Sequence, residues 1–169
     1  MAAGRHKGAS DVDKNIAVLK KVSLFAGLDK ATIELLASIS EIHTFKSGQQ
    51  VYAEGEADAA LFIIVKGRIR IEKLVDAEQR QTLQQIRDGE ILGAISFVLG
   101  GEHSVSAQAL QDAELLMIRR TEFDKLAARN PAAAYRIMLR LAGHLATLLR
   151  DMEERFVEMV GYVYGRSKK

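Results

Sequence analysis

No cysteine occurs in the 169 residues, which removes disulfides, thiolate zinc sites and cysteine nucleophiles from consideration. That absence also fits a reducing compartment. Proline occurs once, at Pro131, against 13 glycines, a balance that favours many turns needing positive φ over a proline-rich linker. No apolar run approaches the ~18–20 residues that a membrane span needs. The small, basic start from Met1 to Ser10 has no hydrophobic stretch behind it, so it is not a secretory signal. A cytoplasmic protein with no membrane partner is expected. An excess of charge of one sign is also missing. The formal net charge of +2, from 24 basic and 22 acidic residues, gives no general drive toward nucleic acid or membrane.

What is present reads as one domain with a long appended element. Ile16, Val18, Leu19 and Val22 have helical spacing that ends near Phe25-Ala26-Gly27, and Asp29 suits the N-cap of a second helix whose buried face is Ile33, Leu35, Leu36 and Ile39. The period changes after Ser40. Turns are expected at Lys46-Ser47-Gly48 and at Gly55-Glu56-Ala57-Asp58, and Leu61–Val65 reads as a buried strand. Arg68, Arg70 and Glu72 alternate with Ile69 and Ile71, as on a strand with one wet face. Val75 to Arg80 forms a hairpin loop before a return through Thr82–Ile86, and further strands are expected at Ser106–Leu110 and Ala113–Ile118. Short strands at this spacing indicate a sandwich or barrel. Thr121 is the expected N-cap of the next helix, and Asn130-Pro131 marks its end and the start of another.

From Ala132 to about Tyr164 the chain contains no proline. Met138, Leu145, Met152 and Met159 recur every seven residues, and Ala142, Leu149, Phe156 and Val163 follow the same period with an offset of four. Together they form an a/d stripe. Leu141 and Leu148 widen it early, and Arg155 ends that extra width. The first half therefore suits packing on its own barrel and on a partner, and the second half suits a partner helix alone. A parallel homodimer is expected. Fold-back on the same domain, or docking of a different helical protein on the methionine-rich seam, are the alternatives.

The stretch from Phe45 through Gly48, Val51-Tyr52 and Gly55-Glu56 to Leu61–Val65, Gly67, Ile69 and Ile71 resembles the cyclic-nucleotide-binding family. Within that family it is similar to the effector domain of catabolite-activator-type bacterial regulators. The resemblance implies an α+β fold: an antiparallel β-roll (a jelly-roll-like double-stranded β-helix) with N-terminal helices and a long C-terminal dimerisation helix. Asp88-Gly89-Glu90-Ile91-Leu92-Gly93 matches the approach to the family's phosphate-binding cassette. There the residue after Gly93 is normally a glutamate for the ribose hydroxyl, and here it is Ala94. The family's arginine, small hydroxyl residue and alanine are matched by His103, Ser104 and Val105. The resemblance implies a pocket at Gly93, Ala94, Ile95, His103, Ser104 and Val105. Loss of two charge-assisted partners, at about 1.5–3 kcal/mol each, implies affinity lower by roughly 10²–10⁴. Ordinary cyclic AMP binding is thus expected to be weak or absent. The Gly93–Ile95 amides, the Ser104 hydroxyl and a protonated His103 remain as donors for another anion, while Ala94–Leu99 could instead simply plug the barrel.

No nucleophile elbow, P-loop or paired-carboxylate arrangement supports catalysis. Glu54, Glu56 and Glu90 sit at turns where solvated roles are the default. His43 reads as a satisfied structural residue, and no histidine–methionine pair stands at haem-ligand spacing. No cofactor or metal is expected. Lys20-Lys21, Arg119-Arg120 and the tail Gly165–Lys169 look like solvated charge, so nucleic acid is not an expected partner. The expected layout is a flexible N-terminus at 1–14, the β-roll with its N-terminal helices at 15–130, the dimerisation helix at 131–165 and a basic tail at 166–169. The resemblance implies a non-enzymatic sensor with altered ligand preference. The alternatives are a protein-interaction or scaffold module with a dead pocket, acting through its C-terminal helix, and a cyclic-dinucleotide binder. Full regulators of this type continue into a helix-turn-helix domain. Its absence before Lys169 means a lost output domain or a truncated chain.

Overall fold

A computed structural model describes residues 9–76 and 79–165, with side chains described at 10–76 and 79–162. Five α-helices and eight strands follow in the order α1 (Ala9–Lys21), α2 (Lys30–Ser38), β1 (Ser40–Phe45), β2 (Gln50–Tyr52), β3 (Ala60–Lys66), β4 (Arg68–Leu74), β5 (Arg80–Arg87), β6 (Ile91–Leu92), α3 (Ala94–Leu99), β7 (Ser106–Ala109), β8 (Ala113–Arg119), α4 (Arg120–Arg129) and α5 (Pro131–Gly165), with a 3₁₀ turn at Ser23–Phe25. The strands form two four-stranded antiparallel sheets, ordered β1-β8-β3-β6 and β2-β7-β4-β5. This is the expected β-roll with flanking helices and a long C-terminal helix.

The first sheet is covered on both faces, which is why its central strands read as continuous apolar runs. Leu61 and Ile63 of β3 and Leu116 and Ile118 of β8 join the helix-side core with Leu19, Leu36, Phe97 and Ile137. The alternate residues Phe62, Ile64, Leu115 and Met117 face the second sheet, against Ile69, Ile71 and Ile86. The second sheet buries one face only, so β4 alternates Ile69 and Ile71 with half-exposed Arg70 and Glu72.

Asp29 caps α2 as its sequence suggests: Thr32 N–H donates to Oδ1 at 2.9 Å and the Thr32 hydroxyl to Oδ2 at 3.0 Å. Pro131 opens α5, and the Asn130 N–H closes α4 on the Leu126 carbonyl at 2.7 Å. Two expectations need correction. Helix α1 begins at Ala9, so residues 9–14 are not an unstructured lead-in. Val12 and Ile16 pack on the core, and the buried Asn15 amide donates to the Ala37 and Ser40 carbonyls at 3.2 and 2.8 Å. Thr121 is not the cap of α4. That helix starts two residues earlier than a Thr121 cap would give, directly from β8 with Arg119 in the cap position, and the Arg120 N–H is satisfied by the Ala59 carbonyl at 2.9 Å. Continued pairing beside β3 replaces a side-chain cap. Residues 1–8 and the tail 166–169 lie outside the described residues.

Candidate functional site

The segment between β6 and β7 turns at Gly93, whose φ of +78° is left-handed. A side chain there would bring Cβ within 2.2 Å of the Ala60 carbonyl oxygen, so glycine is required both for φ and for space. Helix α3 follows. It buries Ala94, Ser96 and Phe97 and leaves Ile95 and Leu99 exposed, so it seals the roll with one face and is not a fully buried plug. Its C-terminal end is held by Arg120, whose guanidinium donates to the Phe97 and Val98 carbonyls, the latter at 2.9 Å. Those carbonyls lack helical partners, and a cation suits that end of the dipole.

His103 is 3% exposed and tightly engaged. Its ring stacks on Tyr52 with centroids 3.7 Å apart. Nδ1 lies 3.0 Å from the Ser96 hydroxyl and Nε2 lies 3.1 Å from the Asp58 carbonyl. A carbonyl can only accept, so Nε2 carries a hydrogen, and the single Ser96 hydroxyl hydrogen is shared between Nδ1 and the Gly93 carbonyl oxygen, each 3.0 Å away. Burial holds the His103 pKa below its ordinary value, against the opposing influence of the Asp58 carbonyl and the Glu56 and Asp58 charges. The neutral ring is therefore favoured. Both nitrogens are occupied by protein, which leaves His103 no free donor for a phosphate. The backbone is fastened to the same turn, with His103 N–H donating to Glu56 O at 2.9 Å and Gly55 N–H to His103 O at 2.8 Å.

Gly93, Ala94, Ile95, His103, Ser104 and Val105 line one cavity of about 120 Å³. The structure thus brings together all six residues singled out from the sequence. It adds others: Tyr52 from β2, Gln84 and Ile86 from β5, and His144, Leu145 and Leu148 from α5. The alternation of β5 carried a signal for Gln84, which shares a face with Ile86. Nothing local in the sequence marks His144. At the rim, Ser104 is exposed and its carbonyl accepts from Lys73 Nζ at 2.8 Å. Lys73 also donates to Glu54, which accepts the Leu74 N–H at 3.0 Å. Lys73 and that amide hold the Glu54 carboxyl below the usual carboxylate range. Glu54 is therefore a clamp between loop and hairpin. Glu56 and Glu90 likewise accept the backbone N–H groups of Ala53 and Arg87, at 2.8 and 2.7 Å. The expectation of merely solvated turn carboxylates is corrected at all three.

A larger groove of about 480 Å³ runs between the 3₁₀ turn and α5 and shares His144, but it contains none of the 93–105 residues, and Arg136 on its wall is paired with Asp29. Along α5, Ile137 and Leu141 are buried, and Met138 and Leu145 are half-buried against the domain. Beyond them Leu149, Met152, Phe156 and Met159 are 58%, 66%, 61% and 55% exposed. Ala142 is exposed as well, and the Val163 side chain lies outside the described residues. The sequence stripe is thus divided between an inner half that meets the domain and an outer half that nothing among the described residues covers. No helix among the described residues is long and apolar enough to cross a membrane.

Comparison with known proteins bears on residues 42–130, which match the family model described as cyclic nucleotide-binding domain. The chain is similar to the cyclic AMP receptor protein of Thermus thermophilus, with 30% identity over 80% of this chain and 61% of that one. The crystal structure of Thermus thermophilus catabolite activator protein is similar too, with TM-score 0.68 and 29% identity, over 81% of this chain and 62% of that one. A cyclic nucleotide-binding domain from Methylobacillus flagellatus superposes at TM-score 0.76 and 22% identity, over 92% of this chain and 88% of that one, a likeness of fold. The chain spans only about three-fifths of the length of the Thermus protein, at 61%.

Proposed function

The chain belongs to the cyclic nucleotide-binding domain family, and on that footing we propose that it is a non-catalytic regulatory module, homodimeric along α5, in which occupancy of the Gly93 cavity is passed to the long helix. One observation carries this reading. His144, Leu145 and Leu148 form a wall of the cavity, while Leu149 and Met152 in the adjoining turns are exposed. A ligand that repositions the wall must move the same turns that a partner would grip. Binding of cyclic AMP in the family's usual manner is weak or absent in this reading, since Ala94 offers no acceptor and His103 no free donor. The exposed outer half of α5 also supports a second reading, a protein-interaction module that uses the helix alone.

Sedimentation equilibrium of the wild type and of Leu148→Ala tests the first reading. A dimer whose dissociation constant changes several-fold in Leu148→Ala, but not in Leu139→Ala on another face of α5, supports it. A monomeric wild type, or an unchanged constant in Leu148→Ala, overturns it.

A further inference from the structure

The cavity beneath α3 is uncharged. Among the described residues that line it there is no aspartate, glutamate, lysine or arginine. Two imidazoles take part, and burial holds both below their ordinary pKa. Lys73 reaches the rim only at the Ser104 carbonyl, and its ammonium is paired with Glu54. A phosphate entering this space would give up part of its water and meet no opposite charge, which weakens its binding.

Neutral polar groups are present instead. Tyr52 is 4% exposed and lines the cavity, and its hydroxyl, which makes no hydrogen bond among the described residues, is not fully buried and so keeps accessible surface. Burial alone drives its pKa upward, with no hydrogen bond contributing. A hydroxyl that is free of protein partners and still reached by solvent is available to a polar atom from outside. Gln84 and Ser104 also line the cavity, as neutral polar residues at its exposed edge. The remaining wall is largely aliphatic, including Ile71, Ile86 and Leu148. The volume of about 120 Å³ approaches the ~150 Å³ apolar cavity that holds one benzene ring.

We infer that this cavity binds an uncharged, single-ring compound bearing one hydrogen-bonding group, a phenol or small neutral heterocycle in chemical class, with the Tyr52 hydroxyl as its polar contact. This rests on the Gly93 cavity being the ligand site of the proposed function, and it replaces the anion expected from the family resemblance with a neutral ligand. A phosphate here would have only the Gly93–Ile95 amides and the Ser104 hydroxyl, with no cation beside them, whereas the ring needs an apolar slot with one polar end.

Thermal unfolding of the full chain is measured with phenol, toluene and cyclic AMP as probes. Phenol and toluene should each raise the melting temperature at millimolar concentration, with phenol the tighter and cyclic AMP inert. Tyr52→Phe should weaken phenol roughly 3- to 10-fold, the worth of one neutral hydrogen bond, and leave toluene unchanged. Val105→Phe, which adds bulk to the cavity wall, should abolish both responses. Stabilisation by micromolar cyclic AMP overturns the neutral-ligand inference and leaves the sensor reading standing. A phenol response that survives Val105→Phe, or no response to either aromatic probe, also overturns the inference. The sensor reading then stands or falls separately on the dimerisation of Leu148→Ala.

Discussion

Tyr52 and His103 lie ring on ring, their centroids 3.7 Å apart and their planes 11° from parallel. Tyr52 also stacks on Phe62 at 5.7 Å, so three aromatic rings tie β2, β3 and the 100–105 loop together. His103→Ala removes the outer ring of this stack and the partners of Ser96 and the Asp58 carbonyl. The expected cost is about 2–4 kcal/mol, from the ring pair plus polar groups left unpaired in the interior. A urea melt checks it, with a lower midpoint at unchanged slope as the expected result.

Stability should fall on mild acidification. His103 and His144 both have folded pKa values below their ordinary 6.5, with burial as the leading cause. The unfolded chain therefore binds more protons than the folded one once pH drops below about 6.5. Full stability is present above that value, is lost progressively as pH falls toward the folded pKa values, and then levels off. Glu56 and Asp58 oppose the shift at His103, so His144→Gln should flatten the profile visibly even though His103 remains. Melting temperatures between pH 8 and pH 5 give the readout, and a flat wild-type profile would contradict the burial argument.

Gly93 and Gly89 share a left-handed backbone but not a neighbourhood. Their φ values are +78° and +81°, yet a Cβ at Gly93 meets the Ala60 carbonyl oxygen and one at Gly89 meets nothing within 4 Å. Gly89→Ala should cost only the backbone strain, about 1–2 kcal/mol. Gly93→Ala adds a steric clash with β3, for a total of about 2–5 kcal/mol. Equal urea midpoints for the two variants would show that the α3 junction relaxes freely.

Met152→Lys and Phe156→Asp place charge on the outer half of α5, where both residues are exposed. Each should convert a dimer to monomer in sedimentation and leave the circular dichroism of the β-roll unchanged. Met138→Lys should behave differently, because Met138 packs against the helix-side core. Its expected effect is loss of domain stability by about 2–5 kcal/mol.

The roll was legible where each strand carries its own signature. The doubly covered β3 reads as Leu61–Val65 without interruption, and the half-wet β4 reads as alternating isoleucine and charge. The near wall of the cavity was legible for the same reason, since Gly93 to Val105 is one short stretch of chain. The far wall was not. Tyr52, Gln84 and His144 come from three distant elements, and no local pattern states that their side chains converge. The start of α4 was misplaced because its first N–H group is satisfied by the Ala59 carbonyl across the sheet, a partner that capping rules drawn from side chains do not anticipate. The role of His103 changed for a related reason. Its residue type suggested a spare donor, and its partners, Ser96 and the Asp58 carbonyl, leave none.

Leu145 and Leu148 close the cavity, and Leu149 and Met152 stand on the outward side of the same helical turns. A chain drifting through sequence space cannot alter these two properties one at a time. A bulkier residue at Leu148 crowds the slot and tilts the stripe; a smaller one at Leu149 loosens the stripe and lets the wall sag. In the proposed dimer, taste for a ligand and choice of companion are thereby written into a single short passage of helix.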